Sequence, residues 1–281
     1  MTRPPELTDR RALARNRAKA SAGFLHEEAA NEIQERLNEV NRSFTSPVIV
    51  TGFPQFWGTL LPGALLVEDT DLLALSPGSH DLVIHALSLH WANDPVGQLV
   101  QCRRALQPDG LFIAVLFGGQ TLAELRSCLA EAEVRETGGL SPRVVPMGEI
   151  RDLGGLLQRA GFSLPVADAS SRMVSYATPR ALMQDLRAMG EGNAVAARLR
   201  RPTPRRVFAA AERLYSESYG SQGRVNATFE MIFLTGWAPA DSQPKPLRPG
   251  SASQRLADAL GVAEIPLADR VASQGLGEGR D

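Results

Sequence analysis

A chain of 281 residues, 43% apolar and 22% charged, can bury a full core and has the balance of an ordinary globular protein. Its net charge of −1 gives no global field that would draw it to nucleic acid or lipid, and two cysteines, Cys102 and Cys128, are too few for a disulfide framework or a zinc cluster. No apolar run reaches the roughly 18 residues of a membrane span, and the N-terminus lacks an apolar signal core, so a cytoplasmic protein is expected.

Residues 1–20 carry six basic and two acidic side chains. A helix is expected over 21–42, where Phe24, Leu25, Ala29, Ile33, Leu37 and Val40 recur at helical spacing. Buried strands are expected at 47–51, 63–67, 80–87 and 110–117; runs that are apolar throughout suit a parallel sheet covered on both faces. A helix at 95–107, closed by Gln107-Pro108-Asp109-Gly110, makes the last two strands a right-handed βαβ unit, with Asp94 as the helix N-cap. Helices follow at 120–135 and 148–160, the second stopped by Gly161. A strand at 163–169 precedes a helical stretch over 178–219, in pieces broken at "GEGNA" and "RPTP", and a last strand at 227–238. The expected organisation is an N-terminal helical segment (1–45), an α/β domain (46–240) capped by 178–219, and a Pro/Ser/Gly-rich tail (241–281) with one helix near 252–261.

"HDLVIHALSLHWANDPVGQLVQCRRALQPDGLFIAVLFGGQTLAELR" (80–126) resembles the fourth-to-fifth-strand segment of class I S-adenosyl-L-methionine (SAM) methyltransferases, in the branch of the malonyl-acyl-carrier-protein methyltransferase. "RDLGGLLQRAGF" (151–162), "LMQDLRAMGEGNA" (182–194), "AAAERLYSESYG" (209–220) and "ATFEMIFLTGWAP" (227–239) resemble the group of mitochondrial complex I assembly factor 5 and its bacterial relatives. The resemblance implies a Rossmann-like α/β fold, a mainly parallel sheet with helices on both faces and a helical insert before the last strand. It implies SAM as cofactor and a protein or carrier-bound substrate. It also implies an alternative: a non-catalytic or arginine-hydroxylase-like assembly factor that docks a protein partner.

Against that family pattern, "VTGFPQFWG" (50–58) keeps only the first glycine of the cofactor loop, Gly52. Pro54 and Phe56 stand at the next two glycine positions, and Pro54 removes an N–H. About a dozen residues separate 47–51 from 63–67, too few for the usual helix–strand–helix. If 63–67 is the second strand, Glu68 is the ribose-binding acid. If it is the third, which aligns better, Asp69 stands on the adenine side and the ribose acid is missing. The loop therefore reads either as one that no longer holds SAM in the usual way or as one that holds it in another pose.

The resemblance places Gly52, Glu68, Asp69 and Leu87 at the cofactor and Gly118, Gly119, Met189 and Glu191 around a substrate pocket. His90, Trp91 and Tyr219 are candidate catalytic groups: an imidazole can move protons near neutral pH, and an indole can stack on a planar ligand. Each has a plainer reading, Trp91 under a helix, His90 on the surface, the glycines as a turn. Arg198, Arg200, Arg201, Arg205 and Arg206 form a basic cluster that is either a docking surface for an acidic partner or a solvated helix junction. No metal-ligand spacing is visible.

Overall fold

The computed structural model describes residues 6–40, 42–58 and 63–243. The expected tail and its helix near 252–261 lie outside them. Eight α-helices among the described residues, α1 (Arg10–Arg17), α2 (Phe24–Val40), α3 (Pro54–Trp57), α4 (Pro95–Ala105), α5 (Ala123–Thr137), α6 (Ile150–Ala160), α7 (Pro179–Ala188) and α8 (Arg205–Tyr219), surround one sheet. Its strands are β1 (Pro47–Thr51), β2 (Leu65–Val67), β3 (His80–Ala86), β4 (Leu106–Phe117), β5 (Ser163–Tyr176), β6 (Gly220–Ser221) and β7 (Arg224–Trp237).

The order is β2-β1-β3-β4-β7-β5, with β6 paired to β7. The first four strands are parallel; β7 runs antiparallel to both β4 and β5. This is a Rossmann-like sheet, and clefts for ligands form beyond the carboxyl ends of its parallel strands. Period-two alternation sends Ile49, Ile84, Ile113, Val115 and Phe117 to the face covered by α2, α5 and α8. Val48, Val50, Val83, Phe112 and Ala114 face α4 and α6 instead.

β2 pairs directly with β1, Val48 opposite Leu65 and Val50 opposite Val67. It therefore takes the second-strand place. The better-aligning reading, third strand, is corrected: adjacency in a sheet is set by hydrogen bonding across strands, which a short linear spacing does not encode. Glu68 and Asp69 follow the carboxyl end of this strand.

Two further expectations shift. β5 and β7 are each 14 residues long, because alternating polar residues such as Ser170, Arg172 and Asn226 continue the ladder past the apolar runs. The 178–219 stretch is helical only as α7 and α8; Gly190, Gly192, Pro202 and Pro204 leave the segment between them irregular. That segment anchors α1. Asp9 N–H donates to Ala194 O (2.8 Å), Ala196 N–H to Leu7 O (2.8 Å), and Arg198 bonds Asp9 (2.8 Å). Ala12, Leu13, Trp91, Ala194 and Val195 close a small apolar cluster beneath it. Gly161 ends α6 at φ 84°, a left-handed conformation that favours glycine, and Asp94 accepts from Gly97 N–H (2.8 Å) as the α4 N-cap.

Candidate functional site

The odd loop packs into the core. Phe53 and Trp57 are fully buried, and His26 of α2 lies tilted against Phe53 (centroids 4.4 Å) and stacks on Phe56 (4.9 Å). Trp57 Nε1–H donates to His26 Nδ1 (3.0 Å), so His26 is held neutral as an acceptor. Burial pushes its pKa down to about 4. His85, inside β3, is bonded by Gln98 of α4 (3.0 Å) and is likewise pushed down by burial to about 4.

These two depressed values make an acid-stability prediction. In the unfolded chain each imidazole titrates near pH 6.5, so between about pH 6.5 and 4 the unfolded state binds more protons and stability falls as pH falls. Urea unfolding at pH 7 and pH 5 should show a loss of about 2 kcal/mol per histidine. His26→Gln, which keeps an acceptor for Trp57, should halve the slope; an equal slope in that variant would contradict the assignment.

In front of Gly52 lies Arg17, from the last turn of α1. A β-carbon on Gly52 would overlap its guanidinium. Arg17 Nη1 bonds Asp69 Oδ1 (2.7 Å), both side chains being buried, and the guanidinium lies 4.9 Å over the Phe53 ring. Arg10 also pairs with Asp69 (3.4 Å), and its Nη2 donates to the Asp69 carbonyl. Gly52 N–H donates to Ser88 Oγ (2.9 Å). Glu68 is exposed at the rim of a cavity of about 410 Å³ that Arg10, Gly52 and Pro54 also line. Leu87, at φ 43°, is buried against β4 through Leu87 N–H to Val115 O (2.8 Å).

A second cavity, about 180 Å³, opens beyond β4 between α5, α7 and α8. Its walls are mostly apolar, among them Phe117, Leu125, Leu186 and Phe229, and Trp91, Thr121, Arg143, Arg187, Glu191 and Asn193 supply its polar groups. Trp91 Nε1–H donates to Glu191 Oε2 (2.7 Å), and His90 Nε2 lies 3.4 Å from the same oxygen. Glu191 Oε1 and His90 Nδ1 are buried without a partner. Burial alone would raise the Glu191 pKa; His90, Arg17 and the Trp91 hydrogen bond outweigh it and hold the carboxyl below its ordinary range. Glu191 is thus a buried, partly unsatisfied carboxylate on the wall of a mostly apolar pocket that Arg143 and Arg187 also line.

Of the candidate residues, the fold brings together His90, Trp91 and Glu191, and separately Gly52, Glu68 and Asp69. The surface reading of His90 is corrected, since it is buried. Tyr219 does not line the pocket; it is 37% exposed at the end of α8, its ring against Tyr215. Gly118 and Gly119 turn the chain after β4, where Gly119 faces the Glu230 carboxylate, and Met189 is buried in the core. The basic cluster is dispersed: Arg198 and Arg200 pair with Asp9, and Arg206 with Glu136. Arg17 was missed, as one arginine among several in a basic stretch with no motif around it. No group of three metal-ligating side chains occurs among the described residues, and no described helix is long and apolar enough to cross a membrane.

A parallel sheet extended by an antiparallel β7, with its pockets beyond the strand ends, defines a class I methyltransferase-type fold, and residues 52–114 match the family model described as a methyltransferase domain. The chain belongs to the class I SAM-dependent methyltransferase family, in the group of the arginine-hydroxylase NDUFAF5. It is 36% identical to that mitochondrial protein of Danio rerio over 241 residues, 84% of this chain and 74% of the relative. The Dictyostelium discoideum protein is 42% identical over 73% of this chain and 48% of its own length. A malonyl-[acyl-carrier protein] O-methyltransferase of Laribacter hongkongensis is 35% identical over 63% of this chain and 57% of its own length. Among solved structures, the YcgJ protein of a Bacillus aligns at TM-score 0.43 with 11% identity, over 69% of this chain and 83% of that one. The expectation of a cytoplasmic protein is overturned here, since the matched NDUFAF5 relatives are mitochondrial by name.

Proposed function

We propose that this chain recognises an arginine side chain of a protein partner, in the manner of an assembly factor for respiratory complex I, and does not act as an ordinary methyltransferase. One observation carries the reading: a mostly apolar pocket lined by Glu191, whose carboxylate is buried with Oε1 unpartnered. Pockets for small molecules run to roughly 300–1,000 Å³. At about 180 Å³ this one suits a single extended side chain. The methylenes of an arginine match the apolar walls, and its guanidinium matches the Glu191 charge. The NDUFAF5 relatives carry arginine hydroxylase in their name, which supports the same substrate class.

The cofactor cleft supports the second half of the proposal. In the usual pose SAM approaches the backbone at the first glycine of the loop. Here that space holds the Arg17 guanidinium, ion-paired to Asp69. Pro54 offers no N–H, and Phe53 is locked into the core. With α1 seated, the residues present do not fit SAM in that pose.

Fluorescence anisotropy with short peptides tests the reading. A peptide centred on arginine should bind at least tenfold tighter than the same peptide carrying citrulline, which keeps the shape and loses the charge. Equal affinities would contradict it.

A further inference from the structure

We infer that the groove between α7 and α8 is a docking site for an acidic polypeptide segment flanking the residue that enters the pocket. The inference rests on the arginine reading for the pocket and adds the chemistry of the surrounding chain. Arg180, Met183 and Arg187 on α7 recur at i, i+3 and i+7, so they share one face; Arg205, Phe208 and Glu212 do the same on α8. The two faces line a groove of about 540 Å³. Met183, Arg187 and Phe208 also line the pocket, so groove and pocket adjoin.

Charge selects the occupant. Arg180, Arg187 and Arg205 are exposed, and none makes an ion pair among the described residues. Glu212 is the one carboxylate on the groove, so cations exceed anions there by three to one. Elsewhere on this molecule exposed arginines have found acidic partners, as Arg172 has with Glu28 and Glu32. A cationic rim around a pocket lined by a carboxylate is a specificity device. It repels a bare cationic peptide at the mouth and admits an arginine carried on an acidic segment. Met183 and Phe208 supply apolar contact between the charges.

The test uses purified full chain and three fluorescent peptides centred on arginine, flanked by Asp/Glu, by Ser/Gly, or by Lys. The acidic peptide should bind roughly tenfold tighter than the neutral one at low salt, with the difference shrinking as salt rises. Arg180→Glu with Arg205→Glu should abolish that preference and leave the arginine-over-citrulline ratio intact. Both are surface positions, and circular dichroism should show an unchanged fold. Equal affinity for acidic and neutral flanks, or a preference that survives the double variant, would overturn the docking site. So would a single-stranded RNA oligonucleotide that competes as well as the acidic peptide. Loss of the citrulline discrimination alone, with the acidic preference intact, would strike the pocket reading and support the groove.

Discussion

Glu191→Gln is expected to weaken binding of an arginine-centred peptide by about 30-fold while leaving citrulline-peptide binding nearly unchanged. The charge-assisted hydrogen bond lost is worth about 2 kcal/mol in a buried setting. The amide keeps the carboxylate's shape, and its oxygen can still accept from Trp91 Nε1–H, now 2.7 Å from Oε2. Folding stability should therefore change little, and the effect should appear in affinity. His90 Nε2 faces the same oxygen at 3.4 Å, so its contact changes with the substitution as well. A variant that binds both peptides as the parent does would place the recognised group elsewhere. A variant that loses both equally would mean that Glu191 only shapes the pocket.

Arg17→Ala should be the most destabilising single change at the cofactor cleft. Asp69 and Arg17 are 5% and 7% exposed and bonded at 2.7 Å. Removing one member of a buried ion pair strands the other, at a loss of about 3–5 kcal/mol. Arg10 also reaches Asp69, which points to the lower end, about 3 kcal/mol. Arg17→Met combined with Asp69→Asn removes both charges and should recover more than half of the loss; urea unfolding of the parent, Arg17→Met, Asp69→Asn and the double variant measures the coupling. The same replacement clears the space in front of Gly52. Calorimetric titration should show no SAM binding to the parent and measurable binding to the Arg17→Met/Asp69→Asn protein. Tight SAM binding by the parent would refute the plugged-cleft account.

The sequence and the structure agree best where apolar runs are unbroken. Pro47–Thr51 forms the strand its composition implies, and β3, α4 and α6 end within a few residues of where the turn and cap signals place them. Agreement fails where polarity alternates. Only the inner face of β5 meets the core, so its polar continuation, Ser170 to Ser175, falls outside the expected strand although it is paired with β7. The order of β1 and β2 was beyond reach because sheet adjacency is a tertiary fact. The site was legible in fragments. His90, Trp91 and Glu191 each carried a signal, but about 100 residues separate the first two from the third, and only the packed cap puts one carboxylate against both. Arg17 had no signal, since its role comes from the way Asp9 and Asn16 fasten α1 to the segment before α8.

The most direct measurement is nitrogen NMR of a peptide whose single arginine is labelled at the guanidinium, titrated with unlabelled protein. The account predicts that the bound Nε–H is shifted, protected from exchange with water and slowed in rotation, and that these changes vanish with Glu191→Gln. A peptide that binds while its guanidinium signal stays sharp and freely exchanging would show that the arginine remains in solvent, contradicting the central claim.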